Sequence, residues 1–259
     1  ITITLTVGAI CVPTDYPTIQ AAIDAVVYGD TICVLPGTYH ETITLKNGVA
    51  LIGSGEDTII NGGQNYILDS QGYGSVISSY KCDSNTLLKG FLIKNASGYG
   101  ADSFGGMYNS YSNLTVSDCT FTGNTSYYGG GMYNYFSNLI VNNCTFIDNT
   151  AYQNGGGMYN YGGYPTVTNC TFSNNTASYG GGMYNGEGSS VVIKNCTFEE
   201  NLAYRAGGGI YSEFGSELTL SNCEFMGNTA EGNPRSNSDL PTVGKGGALY
   251  SRYNGFSEM

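Results

Sequence analysis

The sequence predicts an all-β solenoid, a parallel β-helix, because one short phrase returns along the chain at a nearly constant interval. Leu114–Thr125 reads LTVSDCTFTGNT, and Leu139–Thr150 repeats it as LIVNNCTFIDNT. Further copies begin at Pro165, Val191 and Leu218. Self-similarity at a period of about 25 residues is typical of stacked units, each too thin to bury its own apolar face. The glycine, β-branched and Asn/Thr/Ser content of the copies argues against helices.

Five cysteines mark the same position in successive copies, at nearly equal intervals: Cys119, Cys144, Cys170, Cys196 and Cys223. A glycine phrase, GGGMYN or GGGIYS, separates the copies at Gly129–Asn134, Gly155–Asn160, Gly180–Asn185 and Gly207–Ser212. Three successive glycines predict a place where the backbone bends or packs closely against a neighbour. The two phrases together therefore define one coil.

Within each copy the apolar residues alternate, except at one point. Leu114 and Val116 alternate with polar residues and so face one side of a strand. Val116 and Cys119 are an odd step apart, which breaks the alternation and predicts a turn at Ser117-Asp118. The residue before each later cysteine is an asparagine, which tolerates the left-handed backbone of such a turn and can form a ladder of stacked side-chain amides: Asn143, Asn169, Asn195 and Asn222. We therefore expect three short strands per coil and about nine or ten coils in all.

Composition narrows the class of protein. The 259 residues include 39 glycines and 23 tyrosines, only 11% are charged, and the net charge is −11. This acidic balance argues against a nucleic-acid partner, because no basic stripe is present to meet phosphates. No apolar run approaches the ~20 residues that a membrane-spanning helix needs. The composition favours a secreted or cell-surface protein, and the start at Ile1 rather than Met is consistent with a removed signal peptide.

The cysteine pattern favours buried thiols over disulfides in the repeats, since five cysteines recur at one inward position where Cys acts as a small hydrophobe. Cys11 and Cys33 both lie in Ile-Cys-Val segments and are expected to be neighbours on adjacent coils. A disulfide between them stays open. No metal site is predicted, because His40 is the only histidine and no Cys-x-x-Cys pair occurs.

We divide the chain into an N-terminal arm, residues 1–10, and a single β-helix domain, residues 11–259. Ile1–Val7 alternates apolar residues with threonine, which indicates either a first-coil strand or an arm that pairs with another subunit. Residues 17–27 form the one predicted helix, whose apolar face would cap the open end of the solenoid.

The regular repeats extend over residues 114–250 and are interrupted by a loop insertion at residues 231–245. That insertion is either a contact loop or a mobile excursion. The absence of an obvious cap before Met259 predicts that the chain continues or that its open end is an assembly surface.

A family resemblance is found at the start of this domain. Asp15–Gly62 reads DYPTIQAAIDAVVYGDTICVLPGTYHETITLKNGVALIGSGEDTIING, which resembles the opening of the pectate-lyase-like superfamily of right-handed parallel β-helices. The later GGGMYN and NCTFxxNT repeats resemble surface β-helix proteins of the polymorphic outer-membrane type. The resemblance implies a right-handed coil and a surface location. It implies no activity, because the matching residues are core and turn positions.

Catalytic residues are not predicted. The chain lacks the QDT and DFxFG segments of pectin methylesterases, the NTD, DD and GHG segments of polygalacturonases, and the RxPxxR segment of pectate lyases. General acid/base chemistry needs paired groups converging on one face, and the repeats show no such pair. If the protein were an enzyme, a polysaccharide lyase or a glycoside hydrolase would be expected.

Two sets of residues are candidates for binding and modification. One tyrosine recurs in each glycine phrase and is expected to form an outward ladder for sugar rings or another protein: Tyr108, Tyr133, Tyr159, Tyr184, Tyr211 and Tyr250. In the alternative, the rings cover one another and only stabilise the column. The best glycosylation candidates are Asn95, Asn113, Asn124 and Asn174, because ladder formation would hide the asparagines of the NCT sequons; the alternative is that an Asn/Thr-rich repeat creates sequons by chance.

Two hypotheses for function follow. The first is a non-catalytic extracellular structural or adhesive protein that assembles with itself end to end into filaments. The second is a carbohydrate-active module that binds or cleaves acidic polysaccharide. No cofactor is predicted for the first, and calcium is the one metal that the second allows.

Overall fold

The computed structural model describes residues 10–62, 74–98, 100, 103–232 and 246–252. The predicted arm at Ile1–Val7, the insertion from residue 233 to residue 245, and residues 253–259 lie outside the described residues. The described chain is an all-β solenoid of parallel strands with one short helix.

The helix α1 covers Ile19–Ala25. The strands are β1 Ile10–Val12, β2 Thr31–Val34, β3 Gly37–Tyr39, β4 Ile43–Thr44, β5 Ala50–Asn61, β6 Ile77–Tyr80, β7 Leu87–Lys94, β8 Met107–Ser110, β9 Thr115–Ser117, β10 Thr120–Thr122, β11 Thr125–Tyr128, β12 Met132–Tyr135, β13 Ile140–Asn142, β14 Thr145–Ile147, β15 Thr150–Asn154, β16 Met158–Tyr161, β17 Thr166–Thr168, β18 Thr171–Ser173, β19 Thr176–Tyr179, β20 Met183–Asn185, β21 Ser190–Lys194, β22 Thr197–Glu199, β23 Leu202–Ala206, β24 Ile210–Ser212, β25 Glu217–Ser221, β26 Glu224–Met226, β27 Thr229–Ala230 and β28 Leu249–Ser251.

Equivalent strands of successive coils pair in parallel and in register. Val116 pairs with Val141, Phe121 with Phe146 and Tyr133 with Tyr159. Each regular coil contributes four short strands, as β9 to β12 do, rather than the three that the sequence predicts. The extra strand arises because β7, continuous in its own coil, pairs with both β9 and β10 of the next coil. In the regular coils, the segment equivalent to β7 is therefore divided into two strands by a corner.

The described residues form fewer coils than the nine or ten that the sequence predicts. The sheet that contains β4, β6, β8, β12, β16, β20, β24 and β28 has eight strands, one from each of about eight coils. The early coils are longer than the repeats, because Ile43 pairs with Ile77 and Ile77 with Met107, and each of these steps along the chain exceeds the step from Met132 to Met158. A count from the repeat length alone therefore gives too many coils.

Left-handed residues form the first corner of each coil. Asp118 has φ 53°, and the asparagines at its position in the later coils have φ between 53° and 55°: Asn143, Asn169, Asn195 and Asn222. Gly90, which precedes this series by one coil, has φ 74°. Asparagine and glycine are the residues that adopt this region most readily. The turn predicted at Ser117-Asp118 therefore lies at Asp118.

The core is a narrow bundle of vertical columns of like side chains. Val116, Cys119, Phe121 and Met132 all point inward and are buried. The Phe121, Phe146, Phe172, Phe198 and Phe225 rings stack with centroids 4.7–5.0 Å apart and interplanar angles of 2–8°. Such a stack contributes beyond the burial of area alone, by about 0.5–1.5 kcal/mol per ring pair.

The cysteine column lies beside the phenylalanines. Cys119, Cys144, Cys170 and Cys196 are buried, Cys223 is half-buried, and all eight cysteines of the chain are free thiols. Each Sγ of the column donates to the backbone carbonyl of the second residue before it, as Cys119 does to Ser117 at 3.2 Å. The thiols are therefore small buried groups with weak hydrogen bonds of their own.

A ladder of asparagine side chains, which the sequence analysis did not predict, lies at the second corner: Asn124, Asn149, Asn175, Asn201 and Asn228. The first four are buried and Asn228 is half-buried. Asn149 shows the pattern. Its Nδ2 donates to Asn175 Oδ1 at 3.0 Å and to the Phe121 carbonyl at 2.9 Å, while its Oδ1 accepts from the backbone N and from Nδ2 of Asn124. Both donors are used and two acceptor sites are filled, so the amide is satisfied although it is wholly buried.

This ladder corrects one prediction. Asn124 is a glycosylation candidate by sequence, but its side chain is buried and bonded to Asn149 and to the Ile93 carbonyl. A glycan could not be attached to an amide in that position without breaking the ladder. The asparagines of the NCT sequons, which the sequence predicts to be hidden, are in fact exposed at the first corner: Asn143, Asn169 and Asn195. The reason is that the left-handed turn directs their side chains outward.

The exposed asparagines form a looser ladder. Asn195 donates to Asn169 at 3.2 Å, and Asn222 donates to Asn195 at 2.9 Å. The series is interrupted lower down, since Asn169 donates to Asn142 rather than to Asn143. Another buried row, with hydrogen bonds of 2.8–3.3 Å, runs along the eight-stranded sheet through Asn109, Asn134, Asn160, Asn185 and Ser212.

The glycine phrases permit the closest approach between coils. Gly155 has φ 68°, and an added Cβ on Gly156 would collide with the Gly181 carbonyl oxygen. On Gly157 it would lie 2.6 Å from the Gly182 oxygen and 2.8 Å from the Phe172 ring. No side chain fits at Gly156 or Gly157, because backbone and a core ring already fill the space.

The helix α1 is shorter than predicted, and it is held at both ends by the second coil. Thr18 is its N-cap, so Pro17 lies before the first turn rather than in it. The Glu41 carboxylate accepts from the first two helical N–H groups at 2.9 and 3.0 Å. The Lys46 ammonium donates to the Val26 carbonyl at 2.5 Å. The apolar face of the helix is buried in the core, as a helix packed on the solenoid requires: Ile19, Ala22 and Ile23.

We expect Asn149→Leu to lower the free energy of unfolding by about 3 kcal/mol. The substitution removes a hydrogen bond from the Phe121 carbonyl and from the side-chain amides of Asn124 and Asn175, and each buried polar group deprived of its partner costs about 1–3 kcal/mol. Chemical denaturation measures the change. Asn113→Leu, at an exposed asparagine whose side chain bonds to Asn138 and whose backbone is not left-handed, is the matched control and should cost less than about 1 kcal/mol. Equal losses for the two variants would show that burial of the ladder does not matter.

Candidate functional site: an aromatic face beside the glycine corner

The eight-stranded sheet places tyrosines outside the core. In β12, Met132 and Asn134 point inward and are buried, so Tyr133 and Tyr135 point outward. We call the resulting stack the outer aromatic column; its members are Phe104, Tyr108, Tyr133, Tyr159, Tyr184, Tyr211 and Tyr250. Neighbouring rings lie 4.4–5.6 Å apart. Most are nearly parallel, whereas Tyr159 and Tyr184 meet edge to face at 90°.

The outer aromatic column is covered, which corrects the expectation of an exposed ladder. Tyr108, Tyr133, Tyr159, Tyr184 and Tyr211 are only 5–8% exposed. Part of the cover comes from β11 and β19, on the far side of the glycine corner: the Tyr128 ring lies 5.6 Å from that of Tyr159, and the Tyr179 ring lies 5.2 Å from that of Tyr211. The alternative that the rings cover one another describes this column better.

Burial changes the acidity of the column's phenols. Loss of hydration raises the pKa of Tyr133, Tyr159 and Tyr184 well above the usual range for tyrosine. For Tyr184 a second cause raises the pKa further, because its hydroxyl donates to the Glu213 carboxylate at 2.7 Å. That carboxylate favours the neutral phenol. The column is therefore an uncharged structural layer at neutral pH.

A second group of rings is open to solvent. We call Tyr111, Tyr135, Phe136 and Tyr161 the aromatic platform. Tyr111 is 49% exposed and Phe136 44%, while Tyr135 and Tyr161 are half-buried. Tyr111 stacks on Phe136 at 5.8 Å and 7°, and Tyr135 stacks on Tyr161 at 5.7 Å and 6°. The two stacks meet edge to face, with Tyr135 and Phe136 at 4.8 Å and 90°. The platform thus spans three coils and presents rings in two orientations.

The backbone under the platform is strained. Tyr111 has φ 50° and Phe136 has φ 44°, in the left-handed region that bulky residues avoid at a cost of roughly 1–2 kcal/mol each. Gly162 takes the same position one coil further on, with φ 66°. An added Cβ there would lie 2.6 Å from the Phe136 ring, so that glycine makes room for the ring. Strained positions of this kind concentrate at functional sites.

One cation lies beside the platform. Lys81 occupies the same corner one coil before Tyr111, and its ammonium lies 4.8 Å from the centre of the Tyr80 ring. A hydrogen bond with Tyr80 raises the pKa of Lys81, and Tyr111 adds to the effect. Tyr80 is itself exposed. A positive charge and a third exposed ring therefore extend the platform at this end.

The remaining sequence candidates are spread over the surface. Asn95, Asn113 and Asn174 carry exposed side chains. Asn95 and Asn174 adopt left-handed backbone at a different corner, with φ 60° and 54°, whereas Asn113 follows the platform corner of its coil. Tyr250, the last member of the predicted ladder, stacks on Tyr211 at 5.2 Å.

Sequence reasoning missed the platform. Tyr80 and Tyr135 end the sheet strands of their coils, and Lys81 and Phe136 directly follow them. Phe136 stands where the next coil has Gly162. A change from glycine to an aromatic residue at a turn was the available signal.

Two searches of the described ranges concern metal-ligand clusters and membrane-spanning helices. Among those residues, no group of three or more His, Cys, Asp or Glu side chains is placed to hold a metal ion. In the same part of the chain, no helix is long and apolar enough to cross a membrane.

The fold is similar to that of several known proteins. A family model described as a right handed beta helix region matches residues 129–254, slightly under half of the chain. The pectin methylesterase from Aspergillus niger superimposes with a TM-score of 0.54 at 17% identity, over 99% of this chain and 93% of that one. The pectin methylesterase from carrot gives 0.55 at 11% identity, over 97% and 90% of the two chains. That from Yersinia enterocolitica gives 0.53 at 11% identity, over 89% and 94%.

These similarities confirm the predicted fold class, a right-handed parallel β-helix. At such low identity they concern the fold alone. Curated protein sequences give no match. The platform has to be interpreted from its own chemistry.

The buried phenols predict a loss of stability at alkaline pH. A tyrosine whose pKa is raised by folding contributes stability that is fully present below its unfolded pKa, about 10, and is lost as the pH rises above that value. We expect the free energy of unfolding to fall above about pH 10, with tyrosinate absorbance of the column rising only as the protein unfolds. Denaturation over a pH series measures both.

Tyr184→Phe should flatten this decline, because phenylalanine has no proton to lose, at a cost of about 1 kcal/mol at neutral pH for the bond to Glu213. Tyr204→Phe, at a 46% exposed position, is the control and should leave the pH dependence unchanged. Complete ionisation of the tyrosines in the folded protein would contradict the prediction.

Proposed function

We propose that this protein is an extracellular, adhesive β-helix that binds polysaccharide through the aromatic platform. The observation that carries the proposal is the pair of exposed rings on strained backbone, Tyr111 and Phe136, at a corner where glycine would fit without strain. A flat exposed ring is a good stacking surface for the apolar face of a sugar. Strained aromatic residues at that position do not favour stability, so we attribute their presence to contact with a ligand.

The arrangement of the platform supports a polymer rather than a single sugar. The Tyr111–Phe136 and Tyr135–Tyr161 stacks run along the solenoid axis, and Tyr80 continues the exposed aromatic surface on the preceding coil. Repeated rings along a rigid axis offer equivalent contacts to successive units of a chain. A contiguous exposed apolar patch is also the kind of surface that marks an interaction site.

The net charge of the chain and the position of Lys81 affect which class of polysaccharide can bind. The chain has a net charge of −11, which repels an acidic polymer over long distances. Lys81 is a local exception beside Tyr111, and in our proposal its ammonium contacts a carboxylate of the bound sugar. We therefore propose that acidic polysaccharide binds at the platform. Because the negative charge of the rest of the surface opposes this binding, it depends on Lys81.

The surface location in this proposal rests on the composition and on the resemblance of the repeats to polymorphic outer-membrane-type surface proteins. Pectin methylesterases of the same fold act on pectin, as their name says, which is compatible with a carbohydrate ligand here. End-to-end assembly into filaments and cleavage of the bound polymer are further expectations from the sequence. Assembly would involve Ile1–Val7, which lies outside the described residues.

The experiment is a binding assay against soluble polysaccharides. Affinity electrophoresis or microscale binding would compare polygalacturonate, its methyl-esterified form, xylan and a β-glucan. We expect Phe136→Ala to weaken binding about fivefold, the loss expected for one aromatic contact of about 1 kcal/mol. Tyr204→Ala removes an equally exposed aromatic side chain elsewhere and should bind like the native protein. Product analysis of the same mixtures tests for cleavage.

Phe136→Gly separates binding from stability. Glycine relieves the left-handed strain, so this variant should unfold at the same temperature as the native protein or higher while losing affinity. Lys81→Gln should weaken binding of polygalacturonate and leave that of xylan unchanged. If no polysaccharide binds, or if Phe136→Gly binds as well as the native protein, the platform is not a carbohydrate site.

A further inference from the structure

The first two strands bring a pair of cysteines together. β1 and β2 are parallel neighbours, and Cys11 lies directly opposite Cys33. Adjacent strands are about 4.7–4.9 Å apart, which lies inside the usual Cα separation of about 4.4–6.8 Å for disulfide-bonded cysteines. The two side chains leave their strands on the same face, because the residues are in register.

That face is the outer one. Val12, Ile32 and Val34 belong to the core, and Ile10 packs against it. Alternation along each strand therefore places Cys11 and Cys33 outside the core layer. Cys11 is half-buried, whereas Cys33 is 3% exposed. One thiol of the pair is open to reagents and the other is covered.

The surroundings of Cys33 agree with this geometry. Burial raises the pKa of Cys33 to about 12, and the hydrogen-bonded Cys11 thiol and the Asp15 carboxylate add to the effect. Tyr39 is also close enough to be affected by Cys33. The Asp15 carboxylate is fixed by accepting from the backbone N–H of Cys11 at 2.7 Å. The pairing of β1 and β2 thus sets the two cysteines side by side on the first coil.

The buried cysteines of the repeat column are less accessible to reagents than Cys11. Its four buried members point inward, with each Sγ bonded to a backbone carbonyl: Cys119, Cys144, Cys170 and Cys196. A reagent would have to enter the core to reach them. Cys223, half-buried, is the one member of the column that is partly accessible.

We propose that Cys11 and Cys33 form a disulfide when the protein meets a small disulfide oxidant such as oxidised glutathione. The Cys11 thiolate attacks one glutathione sulfur, which forms a mixed disulfide and releases one glutathione thiolate. The Cys33 thiolate then attacks the Cys11 sulfur and displaces the second glutathione. The two protons of the protein thiols pass to the released glutathione thiolates. Two protein thiols are oxidised, one glutathione disulfide is reduced to two thiols, and no other reagent is needed.

The bond would fasten the capping helix. The loop that it closes runs from residue 11 to residue 33 and contains α1, Ile19–Ala25. Cross-linking such a loop lowers the conformational freedom of the unfolded chain. An oxidising extracellular setting, in which such bonds persist, would therefore stabilise the end of the solenoid that α1 covers.

Peptide mapping of the full chain tests the proposal. Reduced protein is incubated with oxidised glutathione, blocked with an alkylating reagent and digested without reduction. We expect a linked peptide joining Cys11 to Cys33, and a protein mass lower by two hydrogen atoms. Cys223→Ser, which removes the other partly accessible thiol, should form the same link. Its absence, with Cys11 still alkylated as a free thiol, overturns the proposal.

Single variants test the order of the two steps. Cys33→Ser should accumulate a mixed disulfide of glutathione on Cys11, because the resolving thiol is missing. Cys11→Ser should gain no glutathione on Cys33, because that sulfur is covered. Glutathione on Cys33 in Cys11→Ser, or a link between Cys196 and Cys223 in place of the first pair, would contradict the assignment. Reduction should lower the melting temperature of oxidised native protein and leave that of Cys11→Ser unchanged.

Discussion

In-register parallel stacking is the constraint on which the rest of this structure depends. Each inward side chain contacts its own counterpart on the coils before and after it, so a residue type must be compatible with itself. Phenylalanine meets this requirement by parallel ring stacking, with centroids 4.7–5.0 Å apart from Phe121 to Phe225. Asparagine meets it because one amide both donates and accepts along the axis. An ionised carboxylate only accepts and an ammonium only donates, so neither could continue such a row through the core.

Differences in coil length occur at the corners, because the stacked columns must stay in register. The spacing between successive cysteines varies slightly along the chain, yet Val116, Phe121 and Tyr133 keep their register with the next coil. Left-handed residues turn the chain at the corners without a long loop. Glycine is required where coils approach closely, as in the glycine phrases, and asparagine serves where the corner is exposed. Among the described left-handed residues, Tyr111 and Phe136 are the aromatic ones, and our proposal interprets them as a binding surface.

Among the described residues, aromatic rings stack in three places, and the consequence differs from one place to the next. Inside the coil it fills the core between the cysteine and methionine columns. On the outside of the eight-stranded sheet it forms the outer aromatic column, which Tyr128 and Tyr179 help to cover. At the corner that follows this sheet, the same spacing leaves the rings of the aromatic platform open to solvent. The same ring stacking therefore stabilises the fold where the rings are buried and, in our proposal, forms a binding surface where they are exposed.

The sequence by itself determined the fold class, the inward position of the repeat cysteines, the turn at Asp118 and the helix near the start, because each depends on local spacing along the chain. Tertiary structure decided which asparagines are buried. Asn124 and Asn143 both begin N-x-S/T segments, but Asn124 faces the core at the second corner and Asn143 faces solvent at the first. Tertiary structure also decided that Tyr133 is covered, since part of its cover comes from Tyr128 on another sheet. Residue spacing fixes which side chains stack, whereas burial depends on what the neighbouring strands place over the stack.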